Sequence, residues 1–255
     1  MSLYTNEGLV KHAQAALALN TKYMWGGIMR PITNAYINLL KSIYGERSGT
    51  GYTAKRWSEL SALAGKGWYG CDCVGLIKSY YWSGNADGGT GSPDYGTPGF
   101  PDTNAGGMYN AAKVKGRIAS LPETSGVIVY CRTYPHVGIY IGKGEVIECT
   151  LGARGDGVVK TKLSDFCWEY WFECPYISYV KSISGGSQRP YFPIGSKVSI
   201  KQSAKYYSGT NIVIPEKYKG SGKTYTLAKV IAGRALLQEL FSWVDVTDLD
   251  PVSRI

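Results

Sequence analysis

One stretch of the sequence, Trp68 to Trp82 (WYGCDCVGLIKSYYW), places a cysteine at the start of a predicted helix. After Gly70, apolar or aromatic residues stand at positions 74, 76, 77, 80 and 81, the spacing of a helix with one buried face. The pattern predicts that Cys73 lies in the first helical turn. A thiol there is close to unpaired backbone N–H groups and to the positive end of the helix dipole, and both favour the thiolate.

Cys73 has two interpretations. Free cysteine is among the most buried residue types, so Cys73 can be a small core residue. It can instead be a nucleophile, with the same N–H groups available to an oxyanion, if a base lies nearby. The sequence has two histidines, His12 and His136. A helix predicted over residues 6–19 puts His12 on its polar, solvated side, which makes His136 the candidate base.

His136 begins the first of two strand-like runs, HVGIYI and EVIECT, which are joined by Gly142, Lys143 and Gly144. A hairpin with an odd-numbered loop centred on Gly142 places Glu148 directly opposite His136. A carboxylate there can accept the imidazole N–H, fix its tautomer and stabilise the imidazolium, as a thiol catalyst requires. The alternative is a solvent-facing strand histidine with an ordinary cross-strand partner.

The order of the predicted elements indicates an α+β fold with an antiparallel sheet, because helices fill the first part of the chain and strands follow. Further helices are predicted at 34–44, 54–64 and 108–118, with a long Gly- and Pro-rich loop at 83–107. Strands are predicted at 126–131, 135–141, 146–150 and within 166–180. A short flexible linker at 182–189 leads to strands predicted at 197–202, 224–231, 235–240 and 243–246, which indicate a small all-β barrel.

The charge of the chain indicates an anionic partner. Its net charge is +9, and basic residues outnumber acidic ones in the C-terminal segment from residue 190. Such a charge suits an acidic polymer, a membrane surface or nucleic acid. No arginine-rich helix or nucleic-acid motif is present, which argues against nucleic acid. No run is long enough to span a bilayer, and the N-terminus lacks the pattern of a secretory signal.

Six cysteines are too few for a disulfide scaffold in a chain of 255 residues, and most are interpreted as reduced core residues. Their spacing is C-x-C and C-x6-C rather than paired C-x-x-C, which disfavours a zinc site.

Three ordered motifs resemble those of NlpC-type papain-like peptidases, which cut peptidoglycan stem peptides. They are Tyr23-x-Trp25-Gly26-Gly27, Asp72-Cys73-x-Gly75-Leu76-Ile77 and His136-Val137-Gly138-Ile139-Tyr140-Ile141-Gly142, followed by a polar residue at Glu148. The resemblance covers about residues 8–180. It implies a papain-like fold with Cys73 as nucleophile, His136 as base and Glu148 as the orienting residue. It also implies that Tyr23, Trp25 and Asp72 line the substrate cleft.

The sequence departs from that family in three ways. Val74 follows the nucleophile where the family has serine, which weakens any transfer of its specificity for the D-glutamyl position. Glu148 replaces the more usual His, Asn or Gln, as it does in the related CHAP group, and it is the stronger partner for an imidazolium. The connection between Gly27 and Cys73 is longer than usual, so an unusual cleft wall is expected.

The C-terminal segment is similar to bacterial SH3-like cell-wall-binding modules, through Gly195-x-Lys197-Val198, Tyr207-x-Gly209, Lys223-Thr224-Tyr225 and Ser242-Trp243-Val244. Residues 1–181 are thus predicted to form a catalytic domain, 182–189 a linker and 190–255 a wall-binding domain. The alternative for Tyr206, Tyr207, Tyr218 and Trp243 is that they only fill the barrel.

Together these features predict a peptidoglycan hydrolase that cleaves an amide of the stem peptide or crosslink by a Cys-His-Glu thiol mechanism. No metal or organic cofactor is required. Peptidoglycan and an anionic wall polymer are the expected partners, and the bacterial cell wall is the expected place of action. A phage endolysin is the expected origin. The alternatives are an N-acetylmuramoyl-L-alanine amidase on the same site and, from another class, a non-catalytic wall-binding protein.

Overall fold

The computed structural model describes residues 4–180, 195–231 and 234–252. The chain forms two compact units, Met1–Ser182 and Ile183–Ile255. The predicted linker at 182–189 lies outside the described residues. The first unit combines helices with an antiparallel sheet, so the predicted α+β class is confirmed.

Within residues 4–180, the five α-helices precede the last six strands, and three short strands lie among the helices. In chain order the elements are α1 Asn6–Leu17, β1 Thr21–Tyr23, β2 Ile28–Pro31, α2 Asn34–Tyr44, α3 Ala54–Leu63, β3 Tyr69–Cys71, α4 Cys73–Trp82, α5 Ala105–Ala111, β4 Lys115–Arg117, β5 Ile128–Cys131, β6 His136–Gly142, β7 Glu145–Gly152, β8 Gly155–Lys162 and β9 Tyr170–Phe172. Each helix begins after a side-chain oxygen that accepts a first-turn N–H, and these caps are Thr5, Thr33, Thr53, Asp72 and Asn104.

The main sheet has six antiparallel strands in the order β4-β9-β5-β6-β7-β8. Helix α4 packs on one face of it, where Leu76 and Ile77 join Val137, Ile139 and Ile147 in the core of the unit. Burial of these apolar side chains fixes the helix on the sheet. The first turn of α4 is thereby held beside the start of β6.

A second, three-stranded sheet in the order β1-β3-β2 was not predicted. It brings the Tyr23–Gly27 segment against the chain that leads into α4, because Met24 N donates to Cys71 O and Asp72 N donates to Gly27 O. A side chain at Gly75 would place its Cβ 1.8 Å from Gly27 O, so only glycine fits there. The backbone of Gly27 thus closely approaches the start of α4.

The prediction for His12 was wrong. The residue is only 1% exposed, and its ring hydrogen-bonds Ser79 Oγ at 2.8 Å and Gly89 O at 3.1 Å. The loop after α4 covers the side of α1 that the amphipathic pattern assigned to solvent. Burial lowers the pKa of His12, which indicates a neutral core residue.

Two other predictions differ from the structure. The helix expected at 108–118 is α5 over Ala105–Ala111, and it is followed by strand β4. Strand β8 was not predicted, because its sequence GDGVVKTK carries few apolar residues, yet every residue of β8 pairs with β7.

The second unit is an antiparallel sheet in the order β13-β12-β11-β10-β14. Its strands are β10 Lys197–Ile200, β11 Tyr225–Ile231, β12 Arg234–Leu237, β13 Ser242–Asp245 and β14 Leu249–Pro251. The first four match predicted strands, and β14 is additional. Because no pairing joins β13 to β14 within residues 195–231 and 234–252, the closed barrel stays a prediction.

Within the described ranges, no helix has both the length and the apolar character that crossing a membrane requires.

Candidate active site

A cavity of about 570 Å³ in the first unit contains the predicted nucleophile in its wall. Four of the residues singled out in the sequence line it, and they are Tyr23, Trp25, Asp72 and Cys73. Tyr23 comes from β1, Trp25 from the following turn, and the other two from the N-terminus of α4. Cys73 is 8% exposed, so its sulfur is largely buried and still borders the cavity.

The electrostatic environment of Cys73 differs from the sequence-based expectation. Burial, and next the negative charge of Asp72, raise the pKa of the Cys73 thiol well above its usual value. The backbone N–H groups of Val137 and Val74 act in the opposite direction and lower this pKa. The helix-terminus donors are thus present as predicted, but burial outweighs them, and the resting sulfur is a neutral thiol.

His136 and Glu148 are in direct contact, with 2.6 Å between His136 Nε2 and Glu148 Oε2. The imidazole stacks on Trp168, with ring centroids 5.5 Å apart and an angle of 18°, and it meets the edge of Phe166. Only 12% of its side chain is exposed. Because Nε2 is held by the carboxylate, Nδ1 is the ring nitrogen left for proton transfer.

Cys73 and His136 are neighbours through the backbone. The backbone N–H of Val137, the residue after His136, lies close enough to the Cys73 sulfur to lower its pKa. The side chains of Cys73 and His136 share no hydrogen bond in the described structure. His136 is therefore held directly by Glu148, and Cys73 lies beside the start of β6. Proton transfer requires the imidazole and the sulfur to come within hydrogen-bond distance.

The register that brings Glu148 to His136 differs from the predicted one. Gly142 pairs with Glu145 across a two-residue turn at Lys143 and Gly144, both of which have positive φ, and Ile139 pairs with Ile147. Continuing that register places Thr150 opposite His136. Glu148 is displaced by two positions, and because side chains alternate with a period of two, it keeps the same face as His136.

Glu148 is a fully buried carboxylate with a complete set of donors. Besides His136, it accepts hydrogen bonds from Arg154 Nε and Nη2, both at 3.1 Å, and from Thr161 Oγ1 at 2.8 Å. Burial alone would raise the pKa of Glu148. The contacts with His136, Arg154 and Thr161 together lower it by a larger amount, so the net shift of the pKa is downward. Glu148 is held ionised.

Arg154 and Thr161 were missed by the sequence analysis. Arg154 lies in the turn between β7 and β8, and its guanidinium Cζ lies 3.8 Å from the centroid of the Phe166 ring. Thr161 lies on β8, the strand that was not predicted. One sequence feature could have indicated this hairpin, namely Gly152 and Gly155, which flank the turn that contains Arg154.

Asp72 borders the cavity, but both its oxygens accept backbone N–H groups. Oδ1 caps α4 by accepting from Gly75 N at 2.6 Å, and Oδ2 accepts from Gly26 N at 2.8 Å. The carboxylate thus ties the glycine turn to the nucleophile helix. Burial raises the pKa of Asp72, against the two backbone donors, which lower it.

Tyr23 and Trp25 form one wall of the cavity. Burial, with the negative charge of Asp72 acting in the same direction, raises the pKa of Tyr23 far above its usual value, so its phenol is a neutral hydrogen-bonding group beside the sulfur. Trp25 is 39% exposed and offers an aromatic face at the rim. Lys78, also in the lining, is paired with Asp102.

In the part of the chain that the structure describes, no group of three or more His, Cys, Asp or Glu side chains could hold a metal ion. All six cysteines are free thiols.

Comparisons with known proteins give the following findings. No protein-family model and no curated protein matches the sequence. Among solved structures, the peptidoglycan hydrolase RipB from Mycobacterium tuberculosis is similar, with a TM-score of 0.39, 18% identity, and coverage of 68% of this chain and 65% of RipB. A mutated form of the Resuscitation Promoting Factor Interacting protein RipA has a TM-score of 0.37, 19% identity, and coverage of 68% of this chain and 63% of RipA.

This chain thus spans just under two thirds of the length of the solved chains it matches.

Proposed function

We propose that the first unit hydrolyses an amide bond of peptidoglycan, in the stem peptide or crosslink, with Cys73 as nucleophile, His136 as base and Glu148 as the orienting carboxylate. The observation that carries the proposal is the 2.6 Å contact between His136 and a buried, ionised Glu148, next to a cysteine that borders a cavity. A strand histidine with only a structural role has no need of a fully buried carboxylate, which is costly to desolvate.

The chemistry follows from the protonation states of these groups. His136 Nδ1 takes the thiol proton as the sulfur attacks the carbonyl carbon, and Glu148 stabilises the imidazolium. Backbone N–H groups at the start of α4 stabilise the oxyanion. The imidazolium then protonates the leaving amine, and a water activated by His136 hydrolyses the thioester. Because the resting sulfur is a neutral thiol, deprotonation is coupled to attack.

The choice of peptidoglycan rests on the three sequence motifs and on the cavity wall. The motif residues Tyr23, Trp25, Asp72 and Cys73 lie together around one cavity, although more than 40 residues separate the first two from the last two in the sequence. A neutral phenol, an aromatic face and a capped carboxylate suit a peptide with polar backbone groups and small side chains. These contacts support a papain-like peptidase as the proposed type of the unit, over residues 1–181.

We further propose that residues 190–255 form an SH3-like wall-binding domain. Phe241, at the turn between β12 and β13, is 87% exposed with a positive φ, and Tyr206 is 40% exposed. Exposed aromatics beside lysines and arginines suit a glycan or peptide surface that also carries anionic groups. A wall-binding domain raises the effective concentration of the catalytic unit at its substrate. An endolysin that acts at the bacterial cell wall is the type of protein that we propose.

The test is digestion of purified peptidoglycan by the full chain and by Cys73→Ala, followed by turbidity and by mass spectrometry of the products. The wild type is expected to clear the suspension and to release new amino termini, while Cys73→Ala does not. Cys167→Ala is the matched control, because Cys167 is an exposed free cysteine that does not line the cavity. Clearing by Cys73→Ala at the wild-type rate would contradict a thiol mechanism.

The same products separate the two alternatives. Glycan chains freed from intact stem peptides would assign an N-acetylmuramoyl-L-alanine amidase on the same nucleophile. Sedimentation of wild type with the wall, without any product, would assign a non-catalytic wall-binding protein.

A further inference from the structure

Outside the residues assigned above, the first unit carries two arginines that lie over two tyrosines. Arg132 Cζ is 5.4 Å from the ring centroid of Tyr109 and 4.8 Å from that of Tyr170. Arg117 Cζ is 5.0 Å from the centroid of Tyr170. Both arginines are exposed at the surface. Arg117 and Arg132 are called the arginine pair below.

The sheet and helix α5 build this surface together. Tyr170 pairs with Arg117 on one side and with Tyr130 on the other, so the three side chains share one face of the sheet. Tyr109, on α5, packs against both tyrosines, with ring centroids 5.1 Å away in each case. The arginine pair thus rests on a rigid aromatic support, which limits the side-chain freedom that binding would remove.

Neither arginine of the pair is neutralised by an ion pair within the residues that the structure describes. Arg56 and Arg154, elsewhere in this unit, each form an ion pair with a carboxylate. Among the ion pairs of the described residues, none includes Arg117 or Arg132. Lys115 adds a third positive charge over Tyr109, although its Nζ is occupied by the carbonyl groups of Tyr109 and Asn110. The surface can therefore accept an anion.

Tyr130 connects this surface to the candidate active site. It lines the cavity that Cys73 borders, and its ring packs against Tyr109 and Tyr170, the two rings over which Arg132 lies. Arg132 directly follows Cys131, which pairs with His136, so the arginine pair lies on the same part of the sheet as the candidate base. A peptide seated in the cavity and extending past Tyr130 would approach the arginine pair.

We propose that Arg117 and Arg132 bind a carboxylate of the peptide whose amide bond is cleaved, which makes them specificity-determining residues. The proposal rests on the proposed function and deepens it, since it names the charge that the peptide carries on one side of the scissile bond. A guanidinium binds a carboxylate through two parallel N–H groups. Because Arg117 and Arg132 both lie over the Tyr170 ring, their guanidinium groups can bind the same carboxylate.

The test measures kcat and KM of the full chain on defined stem peptides in which each free carboxylate in turn is replaced by a carboxamide. One replacement is expected to lower kcat/KM about tenfold or more, mainly through KM, because a charge-assisted pair is lost. The double variant Arg117→Gln/Arg132→Gln should cleave the carboxylate and the carboxamide peptide with the same kcat/KM. That value should equal the kcat/KM of the wild type on the carboxamide peptide. Retention of the wild-type preference by this variant would overturn the proposal.

The control variant, Lys55→Gln/Lys160→Gln, removes the same net charge from exposed lysines elsewhere on the unit. An equal loss in this control would assign the effect to general charge and overturn the specific site. Circular dichroism and thermal unfolding show whether each variant is folded.

A second measurement keeps the proposal testable if the wild type cleaves none of these peptides, which would count against the proposed function. The same peptides are titrated into Cys73→Ala, with and without the two arginine substitutions, by calorimetry. A tenfold loss of affinity with the substitutions supports the arginine pair, and unchanged affinity or no binding overturns it. Binding of a glycerol-phosphate polymer in place of the peptides would assign the surface to a wall polymer and also overturn the carboxylate assignment.

Discussion

The contact between Arg154 and Glu148 makes a measurable contribution to stability. Arg154→Met keeps an unbranched apolar stem near Phe166 and removes two hydrogen bonds to a carboxylate that is fully buried. Hydrogen bonds to charged groups contribute about 1.5–3 kcal/mol each, and loss of one partner of a buried pair costs about 3–5 kcal/mol. Because His136 and Thr161 still donate to Glu148, we expect the lower end, about 3 kcal/mol.

The assay is urea unfolding followed by tryptophan fluorescence, in a double-mutant cycle of Arg154→Met and Glu148→Gln. A coupling energy of about 2 kcal/mol or more is expected at pH 7, where Glu148 is ionised. The exposed pair Lys160–Glu145 is the internal comparison, with an expected coupling below about 1 kcal/mol. A coupling between Arg154 and Glu148 as small as that of the exposed pair would refute the reasoning.

The pH dependence of the same cycle has a definite sign. The pKa of Glu148 is lowered below its usual 4.5 in the folded protein. The stabilisation is therefore present in full above that value, and it is lost as the pH falls through the folded-state pKa. The penalty of Arg154→Met should shrink over the same range, because a protonated Glu148 no longer attracts the guanidinium. A constant penalty from pH 7 to pH 3 would indicate that packing, and not charge, links the two residues.

The parts of the site that the sequence predicted are those that depend on local patterns. Cys73 begins a helix because Asp72 is a cap and the following residues have helical spacing, and both features are local. His136 and Glu148 share a face because alternation survives an error of two positions in the register. The predicted direct pairing failed because a two-residue turn replaced the odd-numbered loop.

The parts that could not be predicted depend on contacts between distant segments. Arg154 is a turn residue without a periodic pattern, and only the tertiary structure brings it to Glu148. His12 is polar and lies on a polar helix face, yet the loop near Gly89 buries it. Burial raises the pKa of Cys73 and depends on tertiary packing, whereas the sequence shows only the helix N-terminus that acts in the opposite direction.

Two further predictions concern the packing of helix α4 and the ion pairs of Asp156. Gly75→Ala is expected to destabilise the first unit by about 3 kcal/mol, because the new Cβ would overlap the carbonyl oxygen of Gly27. Gly222→Ala is the control, since a Cβ at Gly222 meets open space, and it should have little effect on the urea midpoint. Asp156→Asn removes the charge that binds Arg56 Nη1 and Nη2 at 2.7 and 2.6 Å and Lys22 Nζ at 2.8 Å. We expect the free energy of unfolding in urea to fall by about 2–4 kcal/mol. A change below about 0.5 kcal/mol would contradict a stabilising role for these ion pairs.

The resting state of Cys73 can be tested by the order in which cysteines react. A catalytic cysteine that exists as a thiolate beside an imidazolium is usually the fastest thiol in its protein to be alkylated. Here, burial raises the pKa of Cys73 and leaves the residue 8% exposed, whereas Cys167 is exposed. Brief treatment with iodoacetamide at pH 7, followed by peptide mapping, should therefore modify Cys167 before Cys73.

The reactivity of Cys73 should rise with pH beyond the range in which an unperturbed thiol has already ionised, because its folded-state pKa lies above the usual value. Cys167→Ser removes the competing thiol, so the rate at Cys73 can be followed alone. Complete alkylation of Cys73 before Cys167 at pH 7 would establish a preformed thiolate, and proton transfer would then precede substrate binding. The predicted order instead requires that the substrate carbonyl be in place when His136 removes the proton, which couples the chemistry of the site to occupation of its cavity.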